Sequence, residues 1–154
     1  MKTANQTHDE KETLKVDVLL PGHDDRVTTS LFLRTKKNLA EKVGNKCFVC
    51  GRTPEEVGAP HEAHHHPIER SFAEMIDFEL VKKDFPNFDW ESFDPKNPYS
   101  FVDNMEHNGL LLCKEHHTAV DAGIHDLPFP IWIAQKYGKE GYKFSEIEII
   151  HHQE

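Results

Sequence analysis

The stretch Asn108-Gly109-Leu110-Leu111-Leu112-Cys113-Lys114-Glu115-His116-His117 decides how this sequence is interpreted. An apolar run of strand length leads into Cys113 and His116, three residues apart, and then into a second histidine, His117. A metal ion held by side chains takes three or four protein ligands, and the Cys-x-x-His pair supplies two of them. The stretch therefore predicts partner ligands elsewhere in the chain.

The partner ligands lie upstream, at Cys47 and Cys50, which are followed by Gly51. This Cys-x-x-Cys-Gly spacing is typical of a zinc knuckle, in which two thiolates lie on one tight turn. Three cysteines cannot all pair as disulfides within one chain, which also favours bound metal. The four predicted ligands of a closed, structural Zn2+ site are Cys47, Cys50, Cys113 and His116.

Length and composition predict one modest domain. The chain has 154 residues, without an apolar run near the ~20 residues of a membrane span and without a hydrophobic signal region at its start. We therefore expect a cytoplasmic protein that does not bind a membrane. Residues 1–13 are polar and charged, as in a disordered tail, and residues 14–154 are predicted to form the single domain.

The net charge of −9 hides two segments of opposite sign. Residues 26–52 hold seven basic side chains and one acidic side chain, whereas residues 69–106 hold ten acidic and four basic side chains. One part of the molecule is therefore suited to face phosphate while another is not. The alternative explanation is that both segments are ordinary solvated faces.

Apolar periodicity predicts the secondary structure around these segments. Residues 27–43 repeat apolar positions every four residues and predict an amphipathic helix with Arg34, Lys36 and Lys37 on its outer face. Further elements are predicted as an edge strand at 14–20, helices at 71–83 and 130–137, an irregular aromatic segment at 87–99 and a closing strand near 147–150. The expected fold class is α+β.

Three histidines that lie close to these motifs are left for a second site once the zinc site is complete. His64 and His65 lie in the segment after the knuckle, just before Pro67, and His117 follows the last zinc ligand. Neighbouring side chains on a strand point to opposite faces, so His64 and His65 can have different roles if the chain bends near Pro67.

These residues resemble the HNH endonucleases, in the form whose ββα-metal hairpin is braced by a zinc knuckle. The Asp/His-His pair of that family is matched by His64-His65, and the Asn five residues before a metal-binding cysteine is matched by Asn108. The final Cys-x-x-Cys-His is matched at 113–117, with His116 in place of the second cysteine. Four separately spaced parts of this sequence agree, in order, with the motifs of that family.

The resemblance implies a ββα-metal core over residues 45–122, with an added N-terminal helix and a C-terminal helix and strand. The distance from His65 to Asn108 is longer than the family's short hairpin loop, so residues 69–106 are expected to be a helical insertion between the two strands. The acidity of this insertion argues against nucleic acid docking on its side.

The resemblance also implies the chemistry. His64 and His117 would hold a catalytic divalent ion, Mg2+, Mn2+ or another first-row metal, and His65 would be the general base for a water attacking a phosphodiester. Asn108 would fix the orientation of His65 through the hairpin backbone. The expected substrate is nucleic acid, with DNA favoured, and the expected products carry a 5′ phosphate and a 3′ hydroxyl.

Three alternatives stay open at this level. In a shifted register, His65 is the metal ligand and His66 is the base. His61-Glu62-Ala63-His64-His65 also matches H-E-x-x-H, the zinc-protease motif, although Pro60 and Pro67 leave under two turns for the helix it requires. Finally, a zinc-stabilised module that binds nucleic acid or protein without catalysis would explain the cysteines alone.

Overall fold

The computed structural model describes residues 28–139 and residue 141. The predicted tail at 1–13, the edge strand at 14–20 and the closing strand near 147–150 lie outside the described residues. In chain order the elements are α1 (Ser30–Lys42), α2 (Pro54–Val57), β1 (Glu62–His65), a 3-10 helix (Arg70–Met75), α3 (Phe78–Asp84), α4 (Tyr99–Val102), β2 (Gly109–Leu112), α5 (Lys114–Thr118) and α6 (Phe129–Tyr137).

The predicted α+β class is confirmed. Strands β1 and β2 form a small two-stranded antiparallel sheet, and helices account for the other regular elements of the described chain. The described residues divide into two compact units, one of residues 45–62 and 111 onwards, the other of residues 28–44 and 63–110. Cys47 and Cys50 belong to the first unit, and the predicted insertion belongs to the second.

Helix α1 forms where the apolar repeat predicts it. Thr29 caps its start, because the Thr29 hydroxyl accepts a hydrogen bond from the Phe32 N–H at 3.1 Å. Thr35 and Leu39 are buried, and the helix is followed by Gly44, whose φ of 67° most side chains avoid. The basic side chains Arg34 and Lys37 are exposed on the outer face.

The segment between β1 and β2 folds around aromatic rings. Phe101 is fully buried, with Phe88 and Trp90 at ring-centroid distances of 5.0 Å and 5.3 Å. The helix predicted at 71–83 is instead two shorter pieces, the 3-10 helix and α3, separated by extended backbone at Ile76. Ring packing therefore gives this unit a core that its short helices alone would not provide.

Helix α6 completes the other unit. It starts one residue earlier than the predicted 130–137 and buries Trp132 completely. Within the described residues, every helix is too short or too polar to span a bilayer.

Candidate functional site: a Cys3His cluster and two sets of histidines

The four predicted zinc ligands converge in the first unit. Cys47, Cys50, Cys113 and His116 are all buried, and their ligand atoms lie within 4.8 Å of one another, so together they could hold a metal ion. The Sγ atoms of Cys50 and Cys113 are 3.9 Å apart. Zinc–sulfur bonds of about 2.3 Å at a tetrahedral centre place two sulfurs roughly 3.8 Å apart. The donor set and its spacing therefore fit a four-coordinate metal.

The backbone around Cys47 and Cys50 forms the tight turn expected of a knuckle. The Gly51 N–H donates to the Cys47 carbonyl at 2.9 Å, and the Cys47 N–H donates to the Arg52 carbonyl at 2.9 Å. Gly51 has a φ of 73°, a left-handed conformation that glycine adopts without steric cost. The turn thus points both thiols to the same side.

The cluster is also tied to α6. The Trp132 indole N–H donates to the His116 carbonyl at 2.8 Å, and its ring stacks near Phe48 at 6.3 Å. Lys136 donates to the Phe48 carbonyl at 2.5 Å and lies over the Phe48 ring. Both ligand-bearing segments are therefore held by the same buried helix face.

The buried thiols shift one another's pKa values in opposite directions, because only some of them can carry a negative charge without a cation. Hydrogen bonds from Cys113 and Cys50 lower the pKa of the Cys47 thiol far below its ordinary value. The pKa of Cys113 is raised, because its thiol donates to Cys47 and Cys50 and because burial disfavours a further negative charge. A divalent cation would relieve this conflict by stabilising all three thiolates.

His117 is held by two side chains that sequence reasoning did not assign. Its Nδ1 lies 2.9 Å from a Glu62 carboxylate oxygen, and its Nε2 lies 3.1 Å from Nε2 of His125. Two nitrogens bound to one metal at about 2.1 Å are roughly 3.0 to 3.4 Å apart. The His117–His125 spacing therefore fits two ligands of one ion. The sequence alone does not identify His125 as a candidate ligand, because no short motif joins it to His117.

In the second unit, three consecutive histidines occupy different environments. His64 and His65 are buried at the end of β1, and His66 is half-buried after it. The rings of His64 and His66 are 6.4 Å apart. Burial lowers the pKa of His66, although Glu69 acts in the opposite direction.

His65 has a carboxylate partner. Its Nε2 lies 2.9 Å from a carboxylate oxygen of Asp103, and the Phe32 ring stacks on the imidazole at 5.4 Å with an interplanar angle of 22°. Burial alone would raise the pKa of Asp103, but hydrogen bonds from His65 and Thr29 and the charge of Arg70 together hold it below its usual value. Asp103 is therefore a buried anion with several donors.

The Asn108 side chain joins the segment that follows β1 to the end of α4 by hydrogen bonds. Its side-chain oxygen accepts from the Ile68 N–H at 3.0 Å, and its amide donates to the carbonyls of Ile68 and Val102 at 2.9 Å and 2.8 Å. Its own carbonyl accepts from the His66 N–H at 3.3 Å. The fully buried Asn108 thus fixes the backbone directly after His65.

We expect Asn108→Ala to lower the free energy of unfolding by about 3 kcal/mol. The substitution removes three hydrogen bonds worth roughly 1 kcal/mol each and leaves buried backbone groups without their partner. Urea denaturation, followed by tryptophan fluorescence, measures the change. Asn87→Ala, at an exposed position, is the control and should change stability by less than about 0.5 kcal/mol. Equal effects of the two variants would contradict the proposed role of the Asn108 contacts.

The zinc-protease alternative is not supported by the local structure. H-E-x-x-H requires both histidines on one helical face, but Glu62–His65 is a strand. His61 is buried, with its Nε2 2.7 Å from the Arg52 carbonyl.

Comparison with family models, with curated proteins and with solved structures finds no match for this chain. A function must therefore be argued from the chemistry of the site itself.

Proposed function

We propose that the protein is a metal-dependent endonuclease of the HNH, ββα-metal kind, which hydrolyses phosphodiester bonds of nucleic acid. The observation that carries the proposal is the environment of His117. This histidine directly follows the last ligand of the Cys3His cluster, has the Glu62 carboxylate on one ring nitrogen and has His125 at 3.1 Å from the other. A metal-binding histidine commonly donates its second N–H to a carboxylate, which fixes the tautomer and strengthens the ligand.

The proposal separates two metals by their donors. The Cys3His set is soft, closed and fully protein-bound, as in structural zinc sites, and we assign Zn2+ to it. His64 and His117 are assigned to the catalytic divalent ion, Mg2+, Mn2+ or another first-row metal, and His125 is added to them as a ligand. Imidazole donors alone favour first-row metals over Mg2+, so Mn2+ and Ni2+ are the first ions to test.

The remaining roles follow from contacts within β1 and its loop. His65 takes a proton from the attacking water, since a neutral imidazole is a competent base near neutral pH. Asn108 holds the loop backbone that follows His65. When bound, the divalent ion supplies charge stabilisation at the scissile phosphate and at the departing 3′ oxygen.

The surface charge supports a nucleic acid substrate. Arg34, Lys37 and Lys42 are exposed on α1. Basic side chains of this kind neutralise phosphates and account for most non-specific affinity. We favour DNA as the substrate.

The proposal predicts cleavage that depends on added divalent metal. Zinc-loaded protein, incubated with supercoiled plasmid or single-stranded circular DNA, should convert the substrate in Mn2+, Ni2+ or Mg2+ and not in EDTA. His117→Ala should lower the rate by more than 100-fold, since loss of an outer partner alone costs about 10- to 100-fold. The control is His107→Ala, just after the insertion, which should cleave at nearly the normal rate.

Absence of metal-dependent breakage under all these conditions would contradict the proposal. A zinc-stabilised binding module would then be the better description, provided that the protein still shifts DNA in a gel. Equal rates for His117→Ala and His107→Ala would instead remove His117 from the site.

A further inference from the structure

Asp103 is a charged side chain in the interior of the second unit. It belongs to none of the motifs by which the sequence resembles a nuclease. The residue is 1% exposed. One carboxylate oxygen lies 2.9 Å from His65 Nε2 and 3.3 Å from Arg70 Nε, and the other accepts from the Thr29 hydroxyl at 3.1 Å. An ionised carboxylate in such a position is costly unless every acceptor is used.

The anchors of Asp103 do not depend on His65. Thr29 lies at the start of α1 and Arg70 in the 3-10 helix, with the Arg70 guanidinium 4.3 Å from the centre of the Tyr99 ring. The Asp103 backbone is held separately, because its carbonyl accepts from the Thr35 hydroxyl at 3.2 Å. The carboxylate is therefore held by residues of two elements, α1 and the 3-10 helix, in addition to its contact with the imidazole.

This arrangement selects one form of His65. An ionised carboxylate can only accept, so a neutral imidazole at Nε2 must donate, and its lone pair then lies on Nδ1. The stacked Phe32 ring restricts rotation of the imidazole. About 10% of the His65 side chain remains exposed.

We propose that Asp103 is the positioning residue of His65, holding the imidazole in the Nε2–H tautomer so that Nδ1 is the atom that accepts the proton of the attacking water. This inference rests on the proposed nuclease function. Arg70 and Thr29 act one step further out, by holding the carboxylate. The proton passes from water to Nδ1, and Asp103 stays ionised throughout.

Nitrogen-15 NMR of histidine-labelled, zinc-loaded full-length protein tests the tautomer without any substrate. The His65 signal, assigned by its loss in His65→Gln, should show a protonated Nε2 and a bare Nδ1 at pH 8. In Asp103→Asn the Nε2–H form should lose its dominance, whereas Asp94→Asn, an exposed acid of the same unit, should leave the signal unchanged. A wild-type His65 with its proton on Nδ1 would overturn the inference, and this readout does not require any variant of Asp103 to fold.

Kinetics on a short DNA duplex supply the second readout. Asp103→Asn should lower kcat by about 100-fold or more with little change in KM, as expected when an interaction is made in the transition state rather than on substrate binding. Wild-type cleavage together with unchanged kcat in Asp103→Asn would overturn the inference and leave the nuclease standing. No wild-type cleavage, with the Nε2–H tautomer observed and lost in Asp103→Asn, would remove the nuclease while retaining Asp103 as the group that orients His65.

Discussion

Removal of zinc should unfold the first unit of this protein. The cluster joins the turn at Cys47 and Cys50 to Cys113 and His116, and the two segments are more than 60 residues apart in the sequence. Structural zinc contributes an apparent binding free energy of about 10 to 16 kcal/mol, which is as large as the total stability of an ordinary domain. We therefore expect a strong chelator to abolish the ordered structure around the cluster.

Trp132 provides a local measurement of this unfolding. It is fully buried and donates to the His116 carbonyl. The chain has two tryptophans, so Trp90→Phe leaves Trp132 as the single reporter. Chelation should shift its emission to longer wavelength, and added Zn2+ should reverse the shift. Mass spectrometry under native conditions should find one zinc per chain before chelation and none afterwards.

Cys50→Ser tests the same site by mutation. Replacing a thiolate ligand by a hydroxyl should weaken zinc binding by more than the roughly 100-fold lost with an outer partner. His107→Gln, which lies outside the cluster, is the matched control and should keep its zinc. Native Trp132 emission in protein that has lost all zinc would show that the cluster does not hold this unit together.

The helices that the sequence predicted well are those whose signals are local. Helix α1 has a threonine cap at Thr29 and a four-residue apolar repeat, and α6 begins at a proline-containing turn. In both cases the residues that start and bury the helix lie within one or two turns of each other. Tertiary contacts did not need to be known.

The helix predicted at 71–83 shows where local periodicity is insufficient. Phe72 and Leu80 share a helical repeat, yet Asp77 starts a new helix by accepting a hydrogen bond from the Glu79 N–H at 3.0 Å. The aspartate was a readable cap signal in the sequence. Ala73 of the 3-10 helix and Val81 of α3 both pack in the aromatic core of this unit, so both pieces are buried without a continuous helix.

The candidate site likewise contains residues that the sequence predicts and residues that it does not. The Cys3His set was readable because ligand spacing within each pair is short and characteristic. Glu62 and His125 were not readable as partners of His117, since they lie 55 and 8 residues from it and only the fold sets their contact. Asp103 is likewise separated from His65 by 38 residues. Partners that orient a histidine carry no fixed spacing, so they emerge only from coordinates.

Replacement of His65 should produce the largest loss of activity among changes outside the zinc cluster. We expect His65→Gln to lower the cleavage rate by about 10²- to 10⁴-fold, because a carboxamide is not a base at neutral pH. Glutamine can still donate to Asp103, so the buried carboxylate keeps a partner and the fold should survive. Initial rates in Mn2+, together with circular dichroism, measure both effects.

His66→Gln is the matched variant that decides the register. The rings of His64 and His66 are 6.4 Å apart, and the backbone N–H of His66 donates to the backbone carbonyl of Asn108. The side chain of His65 instead contacts the Asp103 carboxylate. If His65 is the base, His66→Gln should change the cleavage rate by less than about 10-fold. His65→Gln should then retain its affinity for Mn2+, because a base acts on proton transfer and not on metal binding. In the shifted register, His65→Gln would weaken Mn2+ binding and His66→Gln would abolish the rate. Calorimetric Mn2+ titration of both variants, together with their cleavage rates, therefore separates the two registers. A loss of Mn2+ affinity in His65→Gln is expected only if His65 is the metal ligand.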